Sequence, residues 1–319
     1  MAASDVKSAA ASAAVPAILA LGEPMIEFNQ SASDDARQFL QGFGGDTSNF
    51  CVAAARQGAS VGYVTRLGDD AFGKLFLDLW REEGVDVQGV ERDAQSHTGV
   101  YFVTHDTSGH AFSYLRKDSA ASRMSPQTLP RELLAGTRFL HVSGISQAIS
   151  ASACDAVFEA MAIARRAGAS ICYDPNVRLK LWPLTRARAV IEATAREVDY
   201  MLPSLEDAQT LTGLNDPEAI VAHYLALGVR VVCLKLGGDG VLVARGAQRT
   251  RIAGHAVNVV DATGAGDCFD GAFVARLAAG DTPEDAARYA NAAAALSTQG
   301  FGAVAPIPRP DAIAAKLGS

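Results

Sequence analysis

The segment "TSNFCVAAARQGASVGYVTRLGDDAFGKLFLDLWREEG" (residues 47–84) decides the fold class, because two helices flank a strand within it. Residues 47–58 have the apolar spacing of a helix that stops at a glycine, and residues 70–84 have that of an amphipathic helix. Between them, "VGYVTRLG" (61–68) is a short apolar run typical of a buried strand. Such strand–helix units, repeated along a chain, build a parallel sheet.

The same alternation extends through the rest of the chain. Five further apolar runs have the length and composition of strands, namely residues 17–22, 138–144, 170–176, 198–204 and 229–237. Each is followed by a helical stretch or a turn. These units predict one α/β domain over residues 17–319, with a mainly parallel sheet and helices on both faces.

One segment departs from this alternation. "TGVYFVTHDTSGHAFSYLRK" (98–117) has the pattern of two strands joined by a polar turn that contains Gly109. "MIEFNQ" (25–30) is a candidate for another strand of the same unit. An antiparallel ribbon inside a strand–helix array indicates a small lid, so we expect a β lid built from segments near 25–43 and 98–118.

Composition restricts the partners. The 319-residue chain has a formal net charge of −7 at pH 7 and no blocks of Lys and Arg, which argues against nucleic acid or an anionic membrane. The five cysteines form no C-x-x-C pair and the six histidines lack a zinc-binding pattern, so we expect a reduced, cytoplasmic protein. The Ala/Ser-rich residues 1–16 lack the apolar centre of a signal peptide and predict a disordered tail.

The strongest candidate for chemistry is "DATGAGDCFDGAF" (261–273), where three small residues stand directly before an aspartate. A strand-like stretch precedes the motif and an apolar helical run follows, which places the small residues at a helix N-terminus. Free N–H groups there bind phosphate, and Gly264, Ala265 and Gly266 allow its close approach. Asp267, in the first turn, can accept the proton that an oxygen nucleophile loses in phosphoryl transfer.

The motif also has a plainer interpretation, as a glycine-rich turn before a helix whose dipole favours an acidic first turn. Other glycine motifs are weaker. "GDDAFGKL" (68–75) fails as a P-loop, because Leu75 replaces the hydroxyl that would hold Mg²⁺. "GFGGDT" (42–47) lacks the last glycine of a dinucleotide fingerprint, and "GGDG" (237–240) predicts a turn between two strands. A nicotinamide-dependent dehydrogenase is therefore the weaker enzyme alternative.

Two segments together identify a family. "DATGAGDCFDGAF" resembles the C-terminal signature of the ribokinase-like (PfkB-type) sugar kinases, and "GGDTSNFCVAAARQGASVGYVTRLGDDAFG" (44–73) resembles their N-terminal signature. The signatures occur in the family's order, and the resemblance extends over nearly everything from residue 17 onward. Ala262 departs from the residue types usual at its position.

This resemblance implies a ribokinase-like three-layer sandwich, in which a mainly parallel central sheet lies between helices and a small β lid covers the sugar. It also implies ATP- and Mg²⁺-dependent phosphorylation of a sugar hydroxyl. A monovalent cation such as K⁺ is an optional further cofactor. Asp267 would be the catalytic base, and the backbone of Gly264, Ala265 and Gly266 would form the anion hole.

The lid residues favour an acidic sugar. Tyr114 and Arg116 are two positions apart and share one face of the predicted strand, and Tyr101 could join them from the partner strand. An arginine can bind a carboxylate through two hydrogen bonds, although a Tyr/Arg pair is also common on solvated strands. Arg178 follows the strand candidate at 170–176, where the sites of open α/β sheets lie, or it pairs with a loop carboxylate.

Four stretches resemble the 2-keto-3-deoxygluconate kinase branch of this family: "FGGDTSN" (43–49), "YLRKDSAAS" (114–122), "SGISQAI" (143–149) and "DPNVRLKLW" (174–182). The resemblance implies substrate contacts at Gly45, Asp46, Asn49, Tyr101, Tyr114, Arg116 and Arg178. Asp46 or Thr47 would also cap the helix that begins there.

The nucleotide and metal residues follow from the same resemblance. It implies nucleotide contacts at Asn176, Ser204, Lys235, Gly237, Gly240, Gly264, Gly266 and Asn291. Where the family usually has Asn-x-x-Glu near its Mg²⁺–phosphate site, "PSLEDA" (203–208) has Ser204 and Asp207. Asp207 is therefore the metal-site candidate, because a carboxylate can hold a hydrated Mg²⁺, and Glu206 is the alternative.

Two other functions stay open at this point. One is a kinase for a neutral sugar such as fructose or ribose, and the other is a sugar-binding relative without activity, against which the intact Asp267 argues. The partners we expect are ATP and a sugar acid. An exposed ribbon that carries Phe102, Val103 and Phe112 would be marginal alone, which predicts a homodimer or a higher homo-oligomer.

Overall fold

The computed structural model describes residues 14–31, 37–106 and 109–318. Residues 1–13 of the predicted tail and short parts of both lid segments lie outside this range. Pro16 is buried, and its carbonyl oxygen accepts a hydrogen bond from Thr137 Oγ1 at 3.1 Å. Packing against the domain therefore includes Pro16.

Strands and helices alternate along most of the described chain. The strands are β1 (Ile18–Leu21), β2 (Met25–Gln30), β3 (Phe39–Gly44), β4 (Val61–Gly68), β5 (Val90–Asp93), β6 (Gly99–Asp106), β7 (Gly109–Leu115), β8 (Phe139–Ser143), β9 (Ser170–Asp174), β10 (Tyr200–Met201), β11 (Val231–Lys235), β12 (Val241–Arg245) and β13 (Gln248–Ile252). The helices are α1 (Asp46–Arg56), α2 (Ala71–Glu82), α3 (Arg131–Gly136), α4 (Gly144–Ala148), α5 (Ala151–Arg166), α6 (Leu184–Ala195), α7 (Leu205–Thr212), α8 (Pro217–Ala226), α9 (Ala265–Ala279), α10 (Pro283–Ser297) and α11 (Pro310–Leu317). Within the described residues, no helix has the length and apolar character needed to cross a membrane.

Nine of the described strands form the large sheet, in the order β13-β12-β11-β10-β9-β8-β1-β4-β5. All neighbours from β11 to β5 are parallel, and β12 and β13 add an antiparallel edge. Side chains of β1 alternate between two apolar clusters. Ile18 and Ala20 belong to the cluster that contains α1 and α9 residues, whereas Leu19 and Leu21 belong to the cluster that contains α5 and α8 residues. A sheet with a helical layer on each face confirms the predicted three-layer α/β sandwich.

Four strands form the lid, in the order β3-β2-β6-β7. β2 and β6 are parallel, and β3 and β7 pair antiparallel with them at the two edges. One lid face packs on the main domain, because the ring of Phe28 lies 5.9 Å from the ring of Phe72 in α2. On the same lid face, the ring of Phe102 stacks on Phe28 at 5.3 Å. The other face carries Tyr101 and Tyr114, which are paired across β6 and β7. The small lid sheet predicted from the sequence is therefore confirmed.

The apolar exposure of the lid differs from the prediction. Val103 is buried, and Phe102 is half-buried in its stack on Phe28. Of the three residues predicted to be exposed, only Phe112 remains so, and Leu40 of β3 is also exposed on the same face. The difference arises because β2 lies beside β6, so that Phe28 of β2 stacks on Phe102 of β6.

Two local predictions are wrong. Neither Asp46 nor Thr47 caps α1, since the capping position is Gly45, whose φ of 97° suits glycine. The strand-like residues 255–260 form no strand, although the helix after the motif does begin at Ala265. Loop segments with apolar residues imitate a strand in the sequence, because the pattern does not reveal whether a neighbouring strand is available.

Candidate active site

The N-terminus of α9 presents free amide groups. Gly264 caps this helix with a φ of 75°, and a Cβ atom at that position would lie 2.8 Å from Ala303 Cβ, so the position requires glycine. The Ala265 amide donates to the Ala262 carbonyl at 3.2 Å. The amides of Gly266 and Asp267 have no partner among the described residues and can bind an anion.

Asp267 lies half-buried in the first turn of α9 and contacts α1 directly. Its Oδ2 accepts a hydrogen bond of 2.8 Å from Asn49 Nδ2. Burial, followed by repulsion from Asp46, raises the pKa of Asp267 to about 7. A carboxylate with that proton affinity can serve as a general base near neutral pH. Asn49 Oδ1 is buried without a partner in the described chain, and it can accept a hydrogen bond from a ligand hydroxyl.

Asp46 links α1 to the end of β9. It accepts the Thr47 amide at 2.8 Å and Asn176 Nδ2 at 3.2 Å, and burial raises its pKa above the usual range. Asn176 itself has a φ of 35°, an uncommon value for a residue other than glycine. Arg178 is exposed, donates to the Val177 carbonyl at 2.9 Å, and lowers the pKa of Asp46 through its charge.

Lys235, predicted to contact nucleotide, is held by two carboxylates. Its Nζ donates to Asp174 Oδ2 at 3.0 Å and to the two oxygens of Asp270 at 3.0 and 3.1 Å. A Cβ atom built on Gly266 would lie 3.5 Å from Nζ, so the ammonium group is beside the first turn of α9. The sequence analysis missed Asp174 and Asp270 as partners of Lys235, although the first lies within the strand predicted at residues 170–176 and the second lies inside the quoted motif.

The lid brings Tyr101 over the glycine turn before α1. The Tyr101 hydroxyl donates to Glu27 Oε2 at 2.5 Å, and burial raises the pKa of Tyr101 far above its ordinary value. A Cβ atom at Gly44 would collide with the Tyr101 ring. Tyr114 is 41% exposed, and its ring lies 5.9 Å from the ring of Tyr101. The sequence analysis missed Glu27, whose place opposite Tyr101 depends on the parallel pairing of β2 and β6.

Arg116 lies one residue beyond the end of β7, not on the strand as predicted. Its Nε donates to Glu23 Oε2 at 2.9 Å and its Nη2 donates to the same oxygen at 2.5 Å. The Glu23 side chain is fully buried and also accepts the Ser119 hydroxyl at 2.5 Å. The guanidinium group lies 5.8 Å from the centre of the Tyr114 ring. Arg116 therefore reaches the lid face beside Tyr114, but a carboxylate of the protein already binds it.

The other predicted nucleotide residues lie around the carboxyl end of β11. Ser204 accepts the Asp207 amide at 3.1 Å and caps α7. Gly237 and Gly240 have positive φ values of 59° and 96°, and they bound the turn between β11 and β12 that the sequence predicts. Asn291 of α10 is turned toward the loop after β13, since its Nδ2 donates to the Ala253 carbonyl at 2.8 Å.

Asp207 suits a hydrated Mg²⁺ more than a closed cage. Burial and the charge of Asp174 raise the pKa of Asp207, a cost that a nearby cation would offset. The described residues contain no group of three or more His, Cys, Asp or Glu side chains arranged to hold a metal ion. Glu206 is exposed. Mg²⁺ commonly retains waters and phosphate ligands and needs only one or two carboxylates, so the donors present fit that mode.

Comparison with known proteins agrees with this geometry. A sequence model described as "pfkB family carbohydrate kinase" matches residues 16–310. A 2-dehydro-3-deoxygluconokinase of Thermoproteus tenax is 36% identical over 307 residues, which cover 93% of each chain. One from Bacillus subtilis is 34% identical and covers 88% of this chain and 87% of its own. Fructokinase-1 of Oryza sativa is 31% identical over 91% of this chain and 94% of its own.

Solved structures share the fold. A putative ribokinase II from E. coli, in complex with ATP and Mg²⁺, matches with a TM-score of 0.87 and 27% identity, over 95% of this chain and 99% of its own. A fructokinase from Vibrio cholerae, with bound fructose, ADP and calcium ion, matches with a TM-score of 0.86 and 27% identity over the same shares. The family match spans most of the chain, and the chain belongs to the pfkB family of carbohydrate kinases.

Proposed function

We propose that this sugar kinase transfers the γ-phosphoryl group of ATP to the 6-hydroxyl of 2-keto-3-deoxygluconate (2-dehydro-3-deoxy-D-gluconate). The observation that carries the proposal is the hydrogen bond between Asn49 and Asp267, which joins the sugar-binding segment to the base. The two residues are 218 positions apart in the sequence, and they meet where free amides can hold a phosphoryl group. A hydroxyl, a base and an anion site within one cleft are what phosphoryl transfer requires.

Asp267 would accept the proton of the attacking hydroxyl group. Its pKa of about 7 means that the carboxylate is available near neutral pH and that its affinity for the proton exceeds that of an ordinary aspartate. The free amides of Gly266 and Asp267 would donate to oxygens of the transferring group, beside the positive end of the α9 dipole. Gly264 and Ala265 shape this anion hole, because they set the start of the helix.

The same cleft offers hydrogen bonds to a sugar. Asn49 Oδ1 would accept one hydroxyl, and Asp46 and Asn176 would contact others, since their side chains meet below the start of α1. Gly45 lets the ligand approach the backbone there. Tyr101 and the half-exposed Tyr114 would cover the sugar from the lid, and closing the lid would exclude water from the reaction.

Nucleotide and metal would occupy the end of the large sheet. We place ATP against Asn176, Ser204, Lys235, Gly237, Gly240, Gly264, Gly266 and Asn291. Mg²⁺ bound with ATP would neutralise charge on the phosphates, and Asp207 would hold one of its waters. A K⁺ requirement is tested by replacing potassium salts with those of a bulky organic cation.

An acidic substrate is favoured by the cationic groups near the lid. Arg116 lies at the lid face beside Tyr114, and Arg178 is exposed at the end of β9 near Asp46 and Asp207. A sugar carboxylate would supply the charge partner that the exposed Arg178 lacks in the described chain, or share Arg116 with Glu23 through the free Nη1. The two relatives with the highest identities quoted above carry the matching name.

A second candidate, a kinase for a neutral sugar, is favoured by one observation. Glu23 already neutralises Arg116 through two hydrogen bonds to one carboxylate oxygen. A hexose without a carboxylate would not compete with this ion pair. Fructokinases at 30–32% identity are also near relatives.

The two candidates are separated by an ADP-release assay across 2-keto-3-deoxygluconate, its C4 epimer, fructose and ribose. We expect the highest kcat/KM on a sugar acid, with phosphate at the 6-position of the product by ³¹P and ¹³C spectroscopy. A higher kcat/KM on fructose or ribose would overturn the substrate and leave the kinase chemistry in place. No ADP release above background with any of these sugars, while the sugars still bind, would favour the non-catalytic alternative.

We also propose a cytoplasmic homodimer that forms through the lid. Leu40 is 68% exposed and Phe112 is 41% exposed, and both lie on the lid face that carries Tyr101. The edge strands β3 and β7 have no further partner among the described residues. A second copy would cover this apolar row and an unpaired edge. The cytoplasm supplies ATP and keeps thiols reduced, in accord with five buried, unpaired cysteines.

A further inference from the structure

A buried group of three charges lies directly behind the proposed anion hole. Lys235 ends β11, Asp174 ends β9 and Asp270 lies in the second turn of α9, so the group connects three separate elements. The exposed fractions of these side chains are 12%, 8% and 1%, respectively. The lysine is the most accessible of the three.

Burying these three charged groups costs folding free energy. Two ionised carboxylates around one ammonium group would leave a net negative charge in the interior, and burial raises the pKa of Asp270 well above its ordinary value. Burial alone would lower the pKa of Lys235, but the two carboxylates together raise it above its usual range. The two carboxylates therefore hold Lys235 in its charged form. Apolar residues of similar volume commonly replace such groups without loss of stability, so stability alone does not explain its presence.

The position of the ammonium group indicates its use. Nζ lies beside Gly266, whose amide is one of the two free amides at the start of α9. The helix dipole opposes a cation at this end, so Asp174 and Asp270 are needed to keep it there. Asp174 accepts one hydrogen of the ammonium group, and the two oxygens of the Asp270 carboxylate can share a second, which leaves the third for another acceptor.

We propose that Asp270 is a positioning residue for phosphoryl transfer. With Asp174, it holds the Lys235 ammonium group beside the first turn of α9, where the third hydrogen is donated to an oxygen of the phosphoryl group in transit. Lys235 touches the reacting group, and Asp270 acts only through Lys235. This inference rests on the proposed function, since it takes the start of α9 as the phosphoryl site.

A double-mutant cycle tests the inference with the sugar that the wild-type enzyme phosphorylates best. Lys235→Met should lower kcat on the order of 10²-fold, the scale for losing one donor to the transition state. Asp270→Asn, which is nearly isosteric, should lower kcat on the order of 10-fold to 10²-fold by releasing the ammonium group. In the Lys235→Met background, Asp270→Asn should lower kcat no further. The KM for the sugar should stay close to that of the wild type in all three variants.

Glu83→Gln is the matched control, because Glu83 forms a comparably buried ion pair with Arg56 at 2.6 Å, outside the cleft. It should lower the melting temperature and leave kcat unchanged. If Lys235→Met does not fold, the comparison of kcat between Asp270→Asn and Glu83→Gln still decides. Wild-type kcat in Asp270→Asn, or equal losses from that change in both backgrounds, would overturn the inference. Failure of the proposed base is a separate result, seen as full turnover by Asp267→Asn.

Discussion

Asp267 is costly to the folded protein at neutral pH. Burial, then repulsion from Asp46, raises its pKa from 3.8 in the unfolded chain to about 7. Between these values the folded protein binds the proton more tightly, so stability falls as the pH rises from 3.8 to about 7. Above pH 7 the full cost of the ionised carboxylate is present, and the same shift gives Asp267 the proton affinity that the proposed base needs.

Asp267→Asn should therefore lower turnover and stabilise the fold. Loss of the general base should lower kcat on the order of 10²–10⁴-fold. The melting temperature should exceed that of the wild type at pH 8, where the ionised carboxylate is absent from the variant, and the difference should shrink toward pH 5. Kinetics and thermal unfolding at both pH values check this. Turnover near that of the wild type would remove Asp267 from the mechanism.

The pH dependence of the wild-type enzyme follows from the same shift. The carboxylate must be ionised to accept a proton, so kcat/KM should fall below about pH 7, tenfold per pH unit, and level off above it. Initial rates at subsaturating sugar over pH 5–9, with ATP saturating, measure it. An acidic limb with a midpoint near pH 4 would mean that Asp267 titrates as an ordinary carboxyl group.

Variants of Arg116 test whether the substrate is acidic or neutral. If it binds the sugar carboxylate, Arg116→Ala should lower kcat/KM for 2-keto-3-deoxygluconate by roughly 2–4 kcal/mol. Arg116→Lys should restore only part of the lost kcat/KM, because an ammonium group cannot form two parallel hydrogen bonds to a carboxylate. Both variants disturb the buried Glu23, and such a disturbance lowers activity on every sugar alike. The measurement is therefore the ratio of kcat/KM for the acid to that for fructose, and an unchanged ratio would favour the neutral-sugar kinase.

At the scale of elements, the start of α9 tolerates little change. Gly264→Ala requires a left-handed backbone at a non-glycine residue, roughly 1–2 kcal/mol, and pushes a methyl group against Ala303. The variant should lose stability and, because the free amides shift, kcat as well. Gly280→Ala at the other end of α9 is the control, since its φ is 103° but no atom lies within 4 Å of the new Cβ. Equal effects of the two variants on kcat would show that the helix start is not specifically required.

Element boundaries were predictable where the pattern is local. The helix expected at residues 70–84 is α2, which begins after Asp70 because that side chain accepts the Gly73 amide at 2.7 Å. The strand expected at residues 198–204 has only two residues, Tyr200 and Met201, in regular pairing. Apolar character marks burial there, but pairing depends on where β9 and β11 end, which the local sequence does not contain.

At the scale of the whole molecule, we propose that a second copy of the chain covers the lid face that exposes Leu40 and Phe112. Phe112→Lys should convert the proposed dimer to a monomer, because it places a charge on the lid face that also exposes Leu40. Phe301→Lys is the control for surface charge, since Phe301 is 78% exposed and lies outside the lid. Light scattering at micromolar concentration measures the molar mass of the wild-type protein and of both variants. A monomeric wild-type protein, or a dimer in Phe112→Lys, would contradict the proposal.

The sequence by itself determined the fold class and the place of the main motif at a helix start. Alternating apolar strands and amphipathic helices are local patterns, and they led to the three-layer sandwich that the structure confirms. "DATGAGDCFDGAF" indicated a phosphate-binding helix start with Asp267 in its first turn, and the helix begins at Ala265. Helix starts are readable because their requirements lie within a few consecutive residues.

Only the tertiary structure decided which groups meet. Asn49 donates a hydrogen bond to Asp267, which is 218 positions away in the sequence, and Arg116 donates to Glu23, which is 93 positions away. Lys235 of β11 binds both Asp174 of β9 and Asp270 of α9. The physical reason is that charge pairing and burial depend on distances set by the packing of β1, β9, β11 and α9, which no local pattern encodes. The shifted pKa of Asp267 arises the same way, because the pKa rises to about 7 only when the fold removes water and brings Asp46 near the carboxylate.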